Sequence, residues 1–323
     1  MTSPLRVEEV LPDVWRLQVP LSFLDPPEVS IYLLRTPDGD ILVDAAMPGS
    51  EEAVDAALEE AGSSRGDIIL TVVTHEHPDH LGLATWVGAP IAMHPLTSQL
   101  LSLFVNADPM RYRRLVDRYW LSDDDVPDPK IFELFRAMLS IPDATRELND
   151  GDELPGGWNV LWTPGHSPGH VCLYHAGHRA LIAGDHVLPG YTPHVGMDPF
   201  HEDPVGAFIE SLLRVATYDC ALVLPGHGEP FVDLQAGVDS LAQHHATRLL
   251  RIEEAVREPR TVREVTELVF RSHESPMDSM MAVIEAGAHL LHLEHTGRAR
   301  RTDGRRWVAE GARHGGRRRV TAT

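Results

Sequence analysis

The chain has 323 residues, 43% of them hydrophobic and 24% charged, a balance that suits a globular protein of one large domain or a domain and a half. It contains no run of about 18 apolar residues, so no membrane span is expected. Its net charge of −20 is uneven. From residue 298 onward nine arginines face Asp303 and Glu310, so this tail carries +7 and the rest carries −27, a body that repels nucleic acid at long range.

The start "MTSPLRVEEVLPDVW" has neither a basic head nor an apolar core, so it does not read as a secretory signal. The two cysteines, Cys172 and Cys220, give no disulfide framework, and together these features predict a cytoplasmic protein.

In chain order, the first 45 residues read as β-rich. "VSIYLLRT" and "DILVDA" flank the turn signal Pro37-Asp38-Gly39, which predicts a hairpin. "SEEAVDAALEEAG" predicts a helix between Ser50 as N-cap and Gly62 as C-cap, with Val54, Ala57 and Leu58 on its apolar face. "DIILTVVTHEHPDH" is a buried strand running into a histidine-rich turn, and strand–helix–strand order of this kind argues for an α/β protein with its chemistry at strand ends.

Residues 97–142 are helical in period and hold six of the 20 aromatic residues, Phe104, Tyr112, Tyr119, Trp120, Phe132 and Phe135. They read either as a helical pair packed on its own small core, as a wall of an apolar substrate pocket, or as a homodimer contact. Strands return in "WNVLWTPGHSPGHVCLYH", "RALIAGDHVLPG" and "DCALVLPGHGEP", with a helix over 204–217 before the last of them.

A connecting helix follows over about 237–258. Thr261 and Glu264 form a capping box that opens a helix to about Arg271. Met277, Met281, Ile284, Ala288 and Leu291 recur at helical spacing, Gly297 ends that helix, and "RARRTDGRRWV" predicts a hairpin about Asp303-Gly304. Two helices and a hairpin make a small winged-helix unit over 259–312, followed by an arginine-rich tail, 313–323, expected to be disordered.

The densest chemistry lies in "THEHPDH", residues 74–80, a pattern that arises by chance in about one such chain in two hundred. His75 and His77, two apart on an extended segment, point the same way and can grip one metal ion. Asp79 and His80 diverge on the turn and suit a second. Imidazoles with one carboxylate are a ligand set for zinc, with iron or manganese as alternatives. Further histidines and an aspartate follow apolar strands in "TPGHSPGH", "AGDH" and "LPGHGEP".

With these motifs, over about residues 10–235, the chain resembles the metallo-β-lactamase fold hydrolases, in particular their hydroxyacylglutathione-hydrolase-like branch. The resemblance implies an αββα sandwich over 1–236 with a helical insertion at about 97–142. It implies that His75, His77 and His170 bind a first metal, that Asp79, His80 and His227 bind a second, and that Asp185 bridges the two. His166 is not carried over as a ligand, and His186 and His194 receive no role. Asp44 matches an aspartate that supports the histidine loop from behind. Ser30 stands where the family more often has Asn, and Ala45-Ala46 where it has Thr-Gly.

Two zinc ions in such a site imply a bridging hydroxide as nucleophile, oriented by Asp79, so no serine or cysteine nucleophile is required. The expected substrate is a thioester, ester or lactone of a small acyl compound, with Phe104, Tyr112 and Trp120 as candidate pocket residues. The competing reading is a phosphodiesterase or endoribonuclease, in which Arg298, Arg300, Arg301, Arg305 and Arg306 around the wing hold nucleic acid. The acidic body and the aromatic insertion favour the acyl substrate.

Overall fold

The fold is described from a computed structural model that covers residues 4–21, 27–105, 121, 144–270, 275–302 and 305–311, without the side chains of 104, 105 and 276. The first seven strands, β1 (Arg6–Leu11), β2 (Val14–Pro20), β3 (Glu28–Thr36), β4 (Gly39–Val43), β5 (Ile68–Val72), β6 (Ile91–Met93) and β7 (Arg146–Glu147), lie side by side in chain order in one sheet. A second sheet has the order β12 (Leu222–Pro225), β11 (Ala180–Gly184), β10 (Val171–His175), β9 (Trp158–Trp162), β8 (Glu153–Leu154). The predicted hairpin forms, with Thr36 paired to Gly39 and Tyr32 to Val43.

Burial explains the layering. On β3 successive side chains point to opposite faces, and both faces are apolar. Tyr32 and Leu34 meet Val160, Leu173, Ile182 and Leu224 of the second sheet in one dry core between the sheets. Ile31 and Leu33 face the other way, onto α1 (Glu51–Glu60), whose Val54, Ala57 and Leu58 form the predicted stripe. Outside the second sheet, Phe208 and Leu212 of α5 (Pro204–Val215) and Val238 and Leu241 of α6 (Leu234–Ala255) cover Leu161, Leu181 and Val223. Helices thus flank two facing sheets. Each fully buried aliphatic side chain in these layers contributes about 1.5–3 kcal/mol.

Local signals and outcomes differ in two places. Ser50 precedes α1 but makes no side-chain capping bond; Glu51 instead accepts from the amide of Gly49. Helix α6 starts at Leu234, earlier than expected, because Asp233 accepts from the Ala236 amide and Leu234 is already buried. Helices α2 (Pro78–Leu81), α3 (Ala84–Val87) and α4 (Pro95–Val105) complete the first half.

Beyond the second sheet, α7 (Val262–Val269), α8 (Pro276–His295) and the hairpin of β13 (Ala299–Thr302) and β14 (Arg306–Ala309) share a core with the end of α6. Trp307 is its largest fully buried side chain, beside Ile252, Val265 and Leu290. The Thr261–Glu264 capping box is present, and Ser275 with Asp278 forms a second one at the start of α8. Leu121 packs into the same core. The predicted Asp303-Gly304 turn and the 313–323 tail lie outside the described residues, as does the rest of the aromatic insertion beyond Leu121 and residues 97–105 and 144 onward.

Candidate metal centre

Strands β4, β5 and β6 run parallel, as do β11 and β12, so their C-terminal ends gather at one edge of the two sheets. Asp44 follows β4, the His75–His80 turn follows β5, Asp185 follows β11 and His227 follows β12. The turn between β9 and β10 brings His166 and His170 to the same edge. Backbone bonds lock the sheets together there: Val171 donates to the Thr74 carbonyl at 3.0 Å and Ser30 to the Gly226 carbonyl at 2.7 Å.

Two glycines permit the close approach. Gly184 has φ +48, and a Cβ on it would lie 2.7 Å from His170 Nε2. A Cβ on Gly226, the residue before His227, would lie 2.4 Å from Asp185 Oδ1 and 2.8 Å from His80 Cε1.

The histidines are held from behind. Asp44 accepts from the Thr74 amide at 2.8 Å, from the Thr74 hydroxyl at 2.9 Å and from His80 Nδ1 at 2.7 Å. Because the Thr74 proton goes to Asp44, its oxygen accepts from His75 Nδ1 at 3.0 Å. His227 Nδ1 donates to the Glu28 carbonyl at 2.6 Å, and His166 Nδ1 to the His194 carbonyl at 2.8 Å. A carbonyl or carboxylate only accepts, so in each ring Nδ1 carries a proton and Nε2 is the nitrogen turned to the site.

These nitrogens converge in two groups. His75 Nε2 and His77 Nδ1 lie 2.9 Å apart, and His166 Nε2 lies 3.2 Å from the first and 3.1 Å from the second. Asp185 Oδ2 stands 3.7 Å from His166 Nε2. The other group is Asp79, His80 and His227, with His227 Nε2 3.1 Å from Asp79 Oδ2. Asp185 borders it as well, Oδ1 at 3.5 Å from His80 Nε2 and Oδ2 at 3.6 Å from His227 Nε2. His80 Nε2 and Asp185 Oδ1 are both buried without a hydrogen-bond partner.

Electrostatics separates the groups. Burial, followed by the neighbouring histidines, holds His75 well below the ordinary imidazole range; burial and His166 push His77 down to about 3, and burial lowers His166. These rings are neutral, and the Nε2 lone pairs of His75 and His166 face each other and His77 Nδ1. At the other group burial works against charge, but Asp185, Asp79 and Asp44 outweigh it and raise His80 well above its ordinary value. Burial likewise opposes charge on His227, and Asp185 and Asp79 prevail. Burial also opposes ionisation of Asp79, yet His80 and His227 hold it down to about 2. That field draws a proton or a cation. Facing lone pairs, an orphaned imidazole nitrogen and an orphaned carboxylate oxygen fit metal ions as their shared partner.

One expectation is corrected. His166, not His170, meets His75 and His77, since His170 has no nitrogen to offer. Its Nε2 accepts from the Asp185 amide at 3.1 Å and its Nδ1 faces the Thr163 hydroxyl at 2.8 Å. His170 joins the end of β9 to the end of β11 instead. Neither His166 nor His194 carries a local signal of its role, because which nitrogen is free depends on tertiary partners. Of the candidate pocket residues, Tyr112, Trp120 and the side chain of Phe104 lie outside the described residues.

Sequence reading also misses Arg16. Its side chain is fully buried on β2 and donates to Ser30 Oγ at 2.9 Å, Glu8 at 3.0 Å, Glu229 at 2.7 Å and the Gly228 carbonyl at 2.7 Å. It clamps the turn that carries His227, and Ser30, one of the departures from the family pattern, is part of that clamp. Ala46, the other, has φ +57, a region where glycine fits at no steric cost.

Residues 24–227 match the family model of the metallo-beta-lactamase superfamily. The chain is 26% identical over 299 residues, 87% of its length and 92% of the relative's, to a Bacillus subtilis protein named "Probable metallo-hydrolase YqjP". It is similar to the crystal structure of a metallo-beta-lactamase family protein from Thermus thermophilus, with a TM-score of 0.81 and 28% identity over 93% of this chain and 100% of that one. A beta-lactamase domain protein from Burkholderia ambifaria gives a TM-score of 0.78 and 26% identity over 94% of this chain and 93% of that one. With the family model matched from residue 24 to the candidate ligand His227, the chain belongs to the metallo-beta-lactamase superfamily and is a metallo-hydrolase of that fold.

Proposed function

We propose that the protein is a binuclear, zinc-dependent hydrolase acting on a thioester, ester or lactone of a small acyl compound, as in the hydroxyacylglutathione-hydrolase-like branch. The observation that carries this reading is the convergence of neutral imidazole lone pairs beside a second, carboxylate-rich group, with Asp185 bordering both. His75, His77 and His166 would hold one ion, Asp79, His80 and His227 the other, and Asp185 would lie between them. Such a pair of ions supplies Lewis acidity and lowers the pKa of a bound water toward about 7.

The chain's own groups do the rest. Asp79 stays ionised and partly exposed, so it can accept a hydrogen from the attacking water and hold it in line. Asp44, the Glu28 carbonyl and the His194 carbonyl fix the ring orientations before substrate arrives. A cysteine nucleophile is disfavoured: Cys172 is buried, and burial pushes its thiol up to about 12.

The pairing of the C-terminal arginines supports a small acyl substrate over a nucleic acid. In the winged-helix-like unit, Arg298 pairs with Glu253, Arg301 with Glu294 at 2.9 Å and Arg306 with Glu264 at 2.7 Å. Elemental analysis of zinc-reconstituted protein should give close to two ions per chain, and a panel of thioesters, esters and lactones should include a hydrolysed substrate. Protein that holds no transition metal after reconstitution, or a metal-loaded enzyme that cleaves RNA and ignores the whole panel, would refute the proposal.

A further inference from the structure

The C-terminal unit reaches the candidate metal centre through the segment between β11 and α5. His166 donates its Nδ1 proton to the carbonyl of His194 in that segment, at 2.8 Å. The His194 imidazole faces α8, its Nδ1 3.4 Å from Glu285 Oε2. The other carboxylate oxygen of Glu285 accepts from Arg248 of α6. Arg248 is itself confined, with its guanidinium 4.4 Å over the ring of Phe270.

The segment is seated on the same turn of α8 by packing. A Cβ on Gly196 would come within 2.7 Å of Ile284, and a Cβ on Gly287 within 2.5 Å of Met197 Sδ. Glu285 also anchors its own helix, because its backbone carbonyl accepts from His289 Nδ1 at 2.8 Å and His289 Nε2 lies 3.1 Å from His245 Nδ1 of α6. Burial opposes charge on Glu285, yet His194 and Arg248 hold its carboxyl down to about 2, so it is an anion at every working pH.

We propose that Glu285 is a positioning residue for His166: by fixing the His194 side chain from α8, it fixes the carbonyl that orients the His166 ring. A ring without a fixed acceptor on Nδ1 turns about its side-chain bonds, and Nε2 then leaves the point where it meets His75 and His77. The C-terminal unit is in this way part of the metal centre rather than an appendage. The inference rests on the metal-centre reading above.

The test uses the full chain and Zn²⁺ or Co²⁺ alone. Wild-type protein and the variants Glu285→Ala, Glu285→Gln, His194→Ala and the double Glu285→Ala/His194→Ala are titrated against a metal-competing chelator. The visible absorption of the Co²⁺ forms is recorded. In Glu285→Ala one of the two ions should bind about tenfold more weakly, the low end of the 10–100-fold loss seen when an outer partner of a ligand is removed. The Co²⁺ spectrum should change, and the affinity of the other ion should stay the same. Glu285→Gln, whose one carbonyl oxygen can accept from Arg248 while its NH2 donates to a neutral His194 Nδ1, keeps the link and should restore most of the loss. The double variant should be no worse than the weaker single one, because both act through one link. Two ions held by Glu285→Ala with wild-type affinity and spectrum would overturn the inference and leave the metal centre standing. Equal weakening of both ions would also overturn it, as a sign of general loosening. A wild-type protein that binds neither ion would refute the metal-centre reading itself.

Discussion

His166 and His170 sit four positions apart in one turn, and each follows a glycine, yet their nitrogens face different partners. That difference gives opposite predictions for two similar substitutions. His166→Ala should lose one tightly held metal ion and most hydrolysis while keeping the wild-type melting temperature within a few degrees. His170→Ala leaves the buried Asp185 amide without its partner and takes from the Thr163 hydroxyl its imidazole contact, at a cost of about 1–3 kcal/mol, but removes no candidate ligand. It should therefore melt lower and still bind two ions. Metal analysis beside thermal unfolding checks both, and the reverse pattern would restore His170 to the ligand set. At this scale the sequence was legible where geometry is local. His75 and His77 are two apart in one short turn and do meet, whereas the choice between His166 and His170 depends on Thr163, Asp185 and His194, which only the folded chain brings near.

Helices α6 and α8 meet through a pair of buried histidines, His245 and His289, with ring centroids 5.3 Å apart and no aqueous contact. Burial, followed by its partner, pushes His245 down to about 3; burial pushes His289 down to about 4. Their folded values lie below the unfolded value of about 6.5, so between those limits the unfolded chain binds protons that the native chain does not. Stability should then fall as pH drops below about 6.5, by at most about 1.4 kcal/mol per pH unit for each ring, and level off below about 3. Denaturant unfolding of the metal-free protein between pH 4 and 7 should show this slope, to which the buried His75, His77 and His166 add, and His245→Leu/His289→Leu should reduce it. An unchanged slope in the double variant would assign the acid sensitivity to other histidines. The same elements show how far local signals reach. The Thr261–Glu264 box was readable because its partners are three residues apart, and the β3–β4 hairpin because its turn residues are adjacent. Strands β6 and β7, three and two residues long, carry no period of their own and exist only through parallel pairing with distant neighbours.

Across the whole molecule, charge argues about partners. The net charge is −20, and the arginines around the β13–β14 hairpin are occupied by the chain's own groups. Arg298, Arg301 and Arg306 pair with Glu253, Glu294 and Glu264, Arg300 lies 3.4 Å from Glu310, and Arg305 donates to the Leu121 carbonyl. Each such surface pair is worth only about 0–1 kcal/mol, but it cancels the positive potential that a phosphate backbone would seek. Arg301 also lies 4.9 Å over Trp307, the centre of the C-terminal core, so part of this charge serves packing. The sequence shows nine arginines against two acids from residue 298 onward; it does not show that the glutamates answering them come from α6, α7 and α8. The intact protein should therefore leave single-stranded RNA unbound at about 0.15 M salt, and truncation before residue 313 should change nothing. A nuclease holding Z phosphates would instead show log K falling with log salt at a slope near −0.7Z. Binding with a slope of several units, lost on Arg300→Glu/Arg305→Glu, would mean that these arginines leave their partners for phosphate, and that the substrate is a nucleic acid.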